Sequence, residues 1–433
     1  MTIYKKFHTN AITALCTFLL LAPVASQAAS DDELAAMRAQ LLALSERLDR
    51  LEAENRALTA ANAEMAKTTQ QNAVAVAEVS EKTEAMATEA LEQAAKSSWT
   101  DTLRWQGDFR YRYESFDIEG QPHRDRNRIR ARAALIADVT PTIEVGLGLA
   151  SGGEDPVSSN QTLGGGGSTK GLNIDLAYFD WSGLPNTHVL GGKFKNYLVD
   201  SGSNALLWDS DWRPEGFGVS WANDLFFVNG MGTWIESDSK AGQSFAFATQ
   251  AGINMNITDD LELAAGIGYY VFNTKGLGSF FGDDDDFFGN SFDPVTLTYL
   301  YDYEEVELFA GMRFSLFDRP LLVYGTYVEN QAADENDTAW SYGFKYGKTK
   351  NRHDWDFAYM YKHLEADAAL GLLVDSDFGG GGTDSKGHVF LGSYGLAPGI
   401  AAKVTYFIND AGLKSGDPID FKRLQLDLSF KYK

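Results

Sequence analysis

The sequence predicts an all-β transmembrane antiparallel β-barrel of about sixteen strands, preceded by an N-terminal α-helical coiled coil. Residues 31–96 carry a seven-residue apolar repeat and contain no glycine, proline or aromatic residue. From residue 99 to residue 433, apolar and polar residues alternate with a period of two, as in strands that face lipid on one side and water on the other. Short and long connections also alternate along this second part, which is typical of membrane barrels.

Composition excludes several classes of protein. The 433 residues carry a formal charge of −23, from 37 Lys and Arg against 60 Asp and Glu, so a nucleic-acid partner is not expected. A single cysteine excludes a disulfide-rich scaffold. A mean hydropathy of −0.25 excludes a membrane protein built from many apolar helices of ~20 residues.

Residues 1–28 have the features of a secretory signal peptide. Lys5 and Lys6 give a positive start, and residues 11–25 form an apolar stretch too short to cross a bilayer as a helix. The small residues Ser26 and Ala28 then provide a cleavage site, which we expect after Ala28. The mature protein is therefore predicted to leave the cytoplasm.

Residues 29–98 are predicted to form a periplasmic coiled coil. The positions that would meet at its seam are Leu34, Met37, Leu41, Leu44, Leu48, Leu51, Asn55 and Leu58. Apolar residues at a and d positions over several heptads indicate an oligomer, and an asparagine at a fixes the register at a cost in stability. The alternative is a single amphipathic helix that lies on the rim of the barrel.

Residues 99–433 are predicted to form the barrel. A soluble β-sandwich would also alternate, but it would not need aromatic residues at so many strand ends, where a membrane barrel meets the lipid headgroups. Seven short turns separate eight longer loops rich in Gly, Asp, Ser and Asn. These loops lie at 116–125, 151–170, 198–214, 237–243, 274–304, 330–337, 365–385 and 409–419. That pattern predicts sixteen strands, with fourteen or eighteen as alternatives, and a barrel of this width leaves an aqueous channel.

The most concentrated charge of the predicted barrel is a set of arginines on its first hairpin. They share the polar face of two neighbouring strands, and we refer to them as the cationic wall: Arg104, Arg110, Arg112, Arg126, Arg128, Arg130 and Arg132. An arginine that faced lipid near the midplane would cost ~2–4 kcal/mol, so we expect these side chains to line the lumen and to bias which ions pass. Alternatively they pair with lumenal carboxylates and only stiffen the wall. Lys193 and Lys195 are expected to face the lumen as well.

Several stretches resemble the putative porin family of Gram-negative outer membranes. They include LRWQGDFRYRY at 103–113, RDRNRIRAR at 124–132, IDLAYFDW at 174–181 and GKFKN at 192–196. The resemblance covers almost the whole mature chain. It implies a homotrimeric, water-filled outer-membrane channel for passive diffusion of small hydrophilic solutes and ions, in contact with membrane lipid and lipopolysaccharide.

Two other functions remain open at this stage. One is an anion-selective channel of the phosphate type, which would use the same arginines. The other is a structural tether, in which the coiled coil reaches peptidoglycan. No catalytic motif of a hydrolase or nucleotide-binding enzyme is present, so neither a catalytic residue nor a cofactor nor a metal is predicted.

The third long loop, 198–214, occupies the place where general diffusion porins fold a loop inward to narrow the pore. It supplies the acids Asp200, Asp209 and Asp211, and Glu215 follows directly. Acids facing the arginines would create a field across the opening that disfavours uncharged apolar solutes. The alternative is an ordinary surface loop.

Overall fold

The computed structural model of the chain describes residues 31–94, 102–237 and 243–433. The predicted signal peptide, 1–28, lies outside these residues, as does the junction predicted near residue 98. The chain divides into two compact units, one containing a single helix and the other containing all the strands. Each unit is described by itself below.

Helix α1 spans Asp31–Ala94, 64 residues, which corresponds to ~96 Å at ~1.5 Å per residue. The predicted N-terminal helix is therefore confirmed. In this single chain, the seam residues Leu51 and Leu58 are 55% and 57% exposed, and Asn55 is exposed too. Association of α1 with another helix therefore stays a prediction. Within the described residues, no helix is both long and apolar enough to span a bilayer.

Sixteen antiparallel strands form the second unit. In chain order they are β1 Leu103–Ile118, β2 Arg124–Thr140, β3 Ile143–Ser151, β4 Leu172–Leu184, β5 Thr187–Lys193, β6 Glu215–Ala222, β7 Phe226–Glu236, β8 Ser244–Thr258, β9 Leu261–Phe272, β10 Tyr303–Leu316, β11 Arg319–Asn330, β12 Thr338–Lys348, β13 Trp355–Leu364, β14 Ser385–Ala397, β15 Ile400–Ala411 and β16 Ile419–Tyr432. Each strand pairs with the next, and β16 pairs with β1, so the sheet closes on itself. The predicted sixteen-stranded barrel is confirmed.

Short turns and long loops alternate around the barrel, as the sequence predicts. Two-residue connections such as 185–186 and 259–260 lie at one end, and connections such as 152–171 and 273–302 lie at the other. The eighteen-strand alternative is wrong, because Phe292–Asp293 and Thr298–Tyr299 pair as a separate small hairpin. Residues Gln161–Thr162 add a short segment beside β2 without becoming a wall strand.

The two faces of the wall differ in polarity. On β3, Val145, Leu147 and Leu149 are exposed, while Gly146 and Gly148 between them are buried. The same alternation continues around the barrel, so that its outside presents a large apolar surface. A soluble monomer rarely exposes an apolar area of this extent, whereas lipid accommodates it.

The main hydrophobic core of the barrel unit lies where long loops fold against the wall. Leu206 and Trp208 of loop 194–214, Phe287 of loop 273–302 and Leu370 of loop 365–384 belong to one buried cluster. The wall contributes Tyr270 and Ala248, among others, to the same cluster. The loops therefore narrow the lumen, and only part of the barrel cross-section remains for water.

Candidate functional site

The loop 194–214, which we call the constriction loop, crosses the inside of the barrel. Val199 exchanges hydrogen bonds of 2.7 and 2.9 Å with Gln250 of β8, and Asn204 Nδ2 donates to Thr326 Oγ1 of β11 at 2.9 Å. At its other end Asp211 accepts a hydrogen bond from Arg132 of β2 at 2.9 Å. Near its start, Ser201 Oγ donates to the backbone oxygen of Ala310 in β10 at 3.3 Å. Strands β2 and β10 are eight positions apart in a ring of sixteen, so contacts to both sides require the loop to span the lumen.

Apolar anchors hold the constriction loop in place. The side chains of Leu206, Leu207, Trp208 and Trp212 are all at most 6% exposed. The ring of Trp208 meets that of Tyr270 edge to face, with 4.8 Å between centroids. Gly202 lies against the ring of Tyr324 with a positive φ of 71°, where a larger residue would clash. Burial of two tryptophans stabilises this arrangement by several kcal/mol, at about 1.5–3 kcal/mol or more for each large apolar side chain.

Two arginines of the cationic wall bind the constriction loop. The Asp211 carboxylate accepts hydrogen bonds from Arg132 at 2.9 Å and from Arg130 at 3.4 Å. Asp108 of β1 pairs with the same two arginines at 2.8 and 2.9 Å. Burial alone would raise the pKa of Asp211, but the two guanidinium groups outweigh it and hold that pKa below the usual value. Two cations and two carboxylates thus neutralise one another here.

A second network lies beside the first. The Arg112 guanidinium makes a bidentate pair with Asp427 of β16, at 2.6 and 2.8 Å, and a further hydrogen bond of 3.0 Å to Asp377 of loop 365–384. The buried Glu114 carboxylate accepts hydrogen bonds from Arg126 and from Arg423. Bidentate, charge-assisted pairs of this kind are strong and fix side-chain orientation.

The remaining three arginines of the wall have different surroundings. Arg104 is exposed near the short-turn end, where it pairs with Asp138 and Glu144. Arg110 donates to Asn160 Oδ1 at 2.6 Å and has its nearest carboxylate, Asp427, at 3.9 Å. Arg128 donates to the Asn160 backbone oxygen at 3.3 Å and has no carboxylate within 4.0 Å in the described part of the chain.

The other acids predicted on the loop are already bonded. Asp200 accepts hydrogen bonds from the backbone N–H groups of Asn204 and Ala205, at 2.9 and 3.1 Å. Asp209 joins two loops, because its carboxylate accepts from Ser376 N and Ser376 Oγ, both at 3.1 Å. Burial raises the pKa of Asp200 to about 6, and burial together with nearby Asp375 raises the pKa of Asp209 to about 7.

The remaining predicted residues are Lys193, Lys195 and Glu215. Lys193, at the end of β5, pairs with Glu215, at the start of β6, with 2.5 Å between Nζ and Oε1. Lys195 lines a cavity on the short-turn side of the constriction loop. Burial and neighbouring Arg213 lower the pKa of Lys195.

Sequence reasoning identified the arginines and Asp211, but it missed Asp108, Glu114, Asp377 and Asp427 as further carboxylates that pair with them. Asp108 and Glu114 alternate in phase with Arg110 and Arg112 on β1, and Asp427 is in phase with Arg423 on β16. The period of two could therefore have placed them on the same face. Asp377 lies in a long loop, whose path has no periodic signal in the sequence.

Cavities lie on both sides of the constriction loop and share lining residues. A cavity of about 320 Å³ towards the long-loop end and one of about 530 Å³ towards the short-turn end are both lined by Asp175, Asp211 and Arg213. A central cavity of about 310 Å³ shares Arg110, Arg130 and Asp211 with the second of these. Water and small solutes therefore have adjoining spaces on both sides of the constriction loop, two of them along the cationic wall.

Comparison with known proteins agrees with this geometry. The family described as "Putative porin" matches residues 118–277 and 290–432. A high-pH structure of OprB from Pseudomonas putida is similar at a TM-score of 0.53 and 11% identity, over 78% of this chain and 97% of that one. At this identity the similarity shows the fold alone.

Two further solved structures are similar at lower scores. A loop-deletion mutant of OmpT from Vibrio cholerae gives a TM-score of 0.46 at 12% identity, over 77% of this chain and all of that one. A triple mutant of the Rhodopseudomonas blastica porin gives 0.41 at 10% identity, over 76% and 100%. No curated protein sequence matches the chain. The family match spans most of the closed barrel, and the chain therefore belongs to the putative porin family, as a channel protein of the outer membrane.

Proposed function

We propose that the barrel is a water-filled channel through which small hydrophilic solutes and ions diffuse down their concentration gradients. The observation that carries this proposal is the pair of adjoining cavities on the two sides of the constriction loop, the larger of which is bordered by Arg110, Arg130 and Arg132 of the cationic wall. A sixteen-stranded barrel is too wide to be filled by its own wall side chains. We assign to this interior the passage of solutes and no catalytic step.

The charged constriction would set which solutes pass. Arg130, Arg132, Asp108 and Asp211 place opposite charges within a few ångströms in a narrow, partly dry space. Such a field orders water and disfavours solutes that cannot replace its polar contacts. Hydrophilic solutes are therefore expected to be preferred over apolar ones of equal size.

The proposal also covers the oligomeric state of the protein and its surroundings. We expect a homotrimer with lipid and lipopolysaccharide around its apolar outer face, and with helix α1 in the periplasm. Exposed Leu51 and Leu58 on α1 supply an unpaired apolar seam that a second and third helix could cover. A tether to peptidoglycan through α1 is compatible with conduction, whereas a tether alone would conduct nothing.

Liposome swelling tests the channel directly. Liposomes that contain the full-length protein are diluted into isosmotic solutions of sugars of increasing size, and swelling is followed by light scattering. We expect fast swelling with the smallest sugars and a steep decline with size. Swelling no faster than that of protein-free liposomes for every sugar would contradict the proposal.

A further inference from the structure

Part of the cationic wall holds more positive charge than its carboxylates neutralise. Among the described residues, this part of the lumen contains three carboxylates, those of Glu114, Asp377 and Asp427, and a larger number of cations. The cations that surround them are Arg110, Arg112, Arg126, Arg128, Arg423 and Lys403. The carboxylate oxygens form close ion pairs with three of these cations, Arg112, Arg126 and Arg423. Arg110, Arg128 and Lys403 are the cations that remain in excess.

Two of these excess cations, Arg110 and Lys403, line the central cavity of about 310 Å³. Lys403 of β15 and Arg110 of β1 stand on the two strands that flank β16. Adjacent strands are ~4.8 Å apart, so these two strands are about 9.6 Å apart, with Asp427 of β16 directly opposite Lys403 in the register. Both long side chains line the same cavity in front of β16, where they can reach one small anion. Among the described residues, Lys403 has no carboxylate within 4.0 Å, and Arg110 has only Asp427, at 3.9 Å, whose two oxygens are bonded to Arg112.

Unsatisfied polar atoms lie next to the same space. Arg110 Nε and Thr405 Oγ1 are buried without a hydrogen-bond partner in the described structure, and Thr405, only 3% exposed, lines the central cavity. A buried polar group without a partner is energetically unfavourable, and a bound ligand with acceptor atoms would relieve that cost. These atoms indicate that the cavity is shaped for a group that accepts hydrogen bonds.

Part of the lining of the central cavity is apolar. Tyr324, Met360, Val389 and Phe407 face it from β11, β13, β14 and β15 and form one buried cluster. The lumenal face of a membrane barrel is normally polar, so an inward apolar patch beside excess cations is a specific combination. It suits a solute that carries both a negative charge and a hydrocarbon surface.

The acids of this cavity do not compete for the role of ligand group. Asp200 and Asp209 direct their oxygens to backbone N–H groups and to Ser376, and Asp375 pairs with Lys362 at 2.5 Å. The carboxylates of Asp377 and Asp211 form salt bridges with arginines. Each carboxylate of the cavity is therefore already bonded within the protein, and the groups that remain for a solute are cations and hydroxyls.

We propose that the central cavity is a binding site for small organic acids, in which Arg110 and Lys403 hold the carboxylate and the patch of Tyr324, Met360, Val389 and Phe407 holds the apolar part. Thr405 donates its hydroxyl proton to the same carboxylate. The site rests on the proposed channel function and adds a saturable step to it. Passage of such acids then reaches a maximum as their concentration rises, while passage of neutral solutes continues to increase.

Benzoate is a suitable probe, with benzamide as its neutral counterpart of nearly equal shape. Single-channel current carried by KCl is recorded in planar bilayers while either compound is added. We expect benzoate to reduce the current with saturation and benzamide to leave it unchanged. In Arg110→Gln/Lys403→Met, the benzoate concentration for half-maximal block should rise by about tenfold or more, since a tenfold change corresponds to ~1.4 kcal/mol and two charge-assisted contacts are lost.

A matched control is Arg313→Gln. Arg313 lies on β10, lines a different cavity and contacts Glu262 at 3.8 Å, so its loss should not change block by benzoate. Equal block by benzamide and benzoate, or unchanged block in the double variant, would overturn the site. Block by inorganic phosphate at the same concentrations as benzoate would overturn the assignment to organic acids, because phosphate makes no use of the apolar patch.

A binding measurement separates the site from the channel. Isothermal titration of benzoate into the folded protein in detergent requires no conduction. Binding that disappears in Arg110→Gln/Lys403→Met supports the site even for a protein that shows no current, and in that case only the channel proposal fails. Absence of binding by wild-type protein that conducts normally overturns the site and leaves the channel proposal standing.

Discussion

At the scale of single residues, Asp211 is the junction between the constriction loop and the cationic wall. Its carboxylate contacts Arg130 and Arg132 and also accepts a hydrogen bond from Ser159 Oγ at 3.2 Å. Removal of one partner from a buried ion pair costs about 3–5 kcal/mol, because the other charge is left without compensation. The position of the loop should therefore depend strongly on this one side chain.

We predict that Asp211→Asn loosens the constriction loop and produces a larger and noisier single-channel current. The amide cannot neutralise two guanidinium groups, so the loop end loses its electrostatic attachment. Asp417→Asn is the control, since Asp417 is an exposed loop residue whose carboxylate forms no ion pair among the described residues. Quiet current of wild-type size in Asp211→Asn would show that the apolar anchors alone hold the loop.

Asp209 and Asp200 should make ion selectivity depend on pH. Their pKa values are raised to about 7 and about 6, by burial first, with Asp375 raising both, while Lys362 lowers that of Asp200. Both are ionised at about pH 8 and protonated at about pH 5, so acidification removes two negative charges from the constriction. Reversal potentials in a KCl gradient should therefore shift towards anions as the pH falls, and Asp209→Asn should remove the step near pH 7. Identical shifts in wild type and Asp209→Asn would contradict this assignment.

At the scale of elements, the alternation of polar and apolar residues along the strands predicts the barrel wall. The structure of the interior depends instead on the paths of the long loops. The sequence of the constriction loop contains the apolar residues Leu206, Trp208 and Trp212, which indicates that this loop packs against an apolar surface. Their partners include Leu370 and Leu373 from a loop about 165 residues away in sequence. A period of two carries no information about which loops meet, and this part of the structure could not be read from the sequence.

An engineered disulfide tests whether the constriction loop lies inside the barrel in the membrane. A Cβ atom added at Gly311 of β10 would lie 3.2 Å from Ser201 Oγ, which is within reach of a disulfide. Cys16, the single cysteine of the sequence, falls in the predicted signal peptide. We expect Ser201→Cys/Gly311→Cys to oxidise readily, as measured by thiol titration, and to conduct like wild type.

The control for this disulfide is Ser201→Cys/Ala310→Cys. Ala310 neighbours Gly311, but its side chain lies on the exposed outer face of the strand. Thiols that stay free in both variants would mean that the loop does not cross the lumen.

Helix α1 should associate through its seam. We predict that Leu51→Lys/Leu58→Lys in the full-length protein abolishes crosslinking between α1 segments, because lysine at d positions places charge in the apolar seam. Ala53→Lys/Ala60→Lys, at outer positions of the same heptads, should leave crosslinking intact. Conductance should be unchanged in both variants. Equal crosslinking in the two would instead favour a single helix that lies apart from its copies.

At the scale of the whole molecule, much of the account was predictable from the sequence. The helix, the sixteen strands and the common phase of the seven arginines on the first hairpin follow from periods of seven and of two, which short-range physics imposes on the chain. Of the carboxylates that neutralise most of the cationic wall, Asp211 is among the predicted loop acids, whereas Asp377 was missed because it reaches the wall only through the path of a long loop. The arginine strip inferred from the sequence is therefore mainly a set of ion pairs, with excess charge confined to Arg110, Arg128 and Lys403.

The central claim is that the closed barrel leaves a continuous aqueous path past the constriction loop. Single-channel recording of the full-length protein in planar bilayers tests it most directly, with folding verified beforehand by circular dichroism. The account predicts stepwise currents that are linear with voltage and that grow with the conductivity of the bathing salt. A folded barrel that inserts into the bilayer and gives no steps above the detergent control would contradict it.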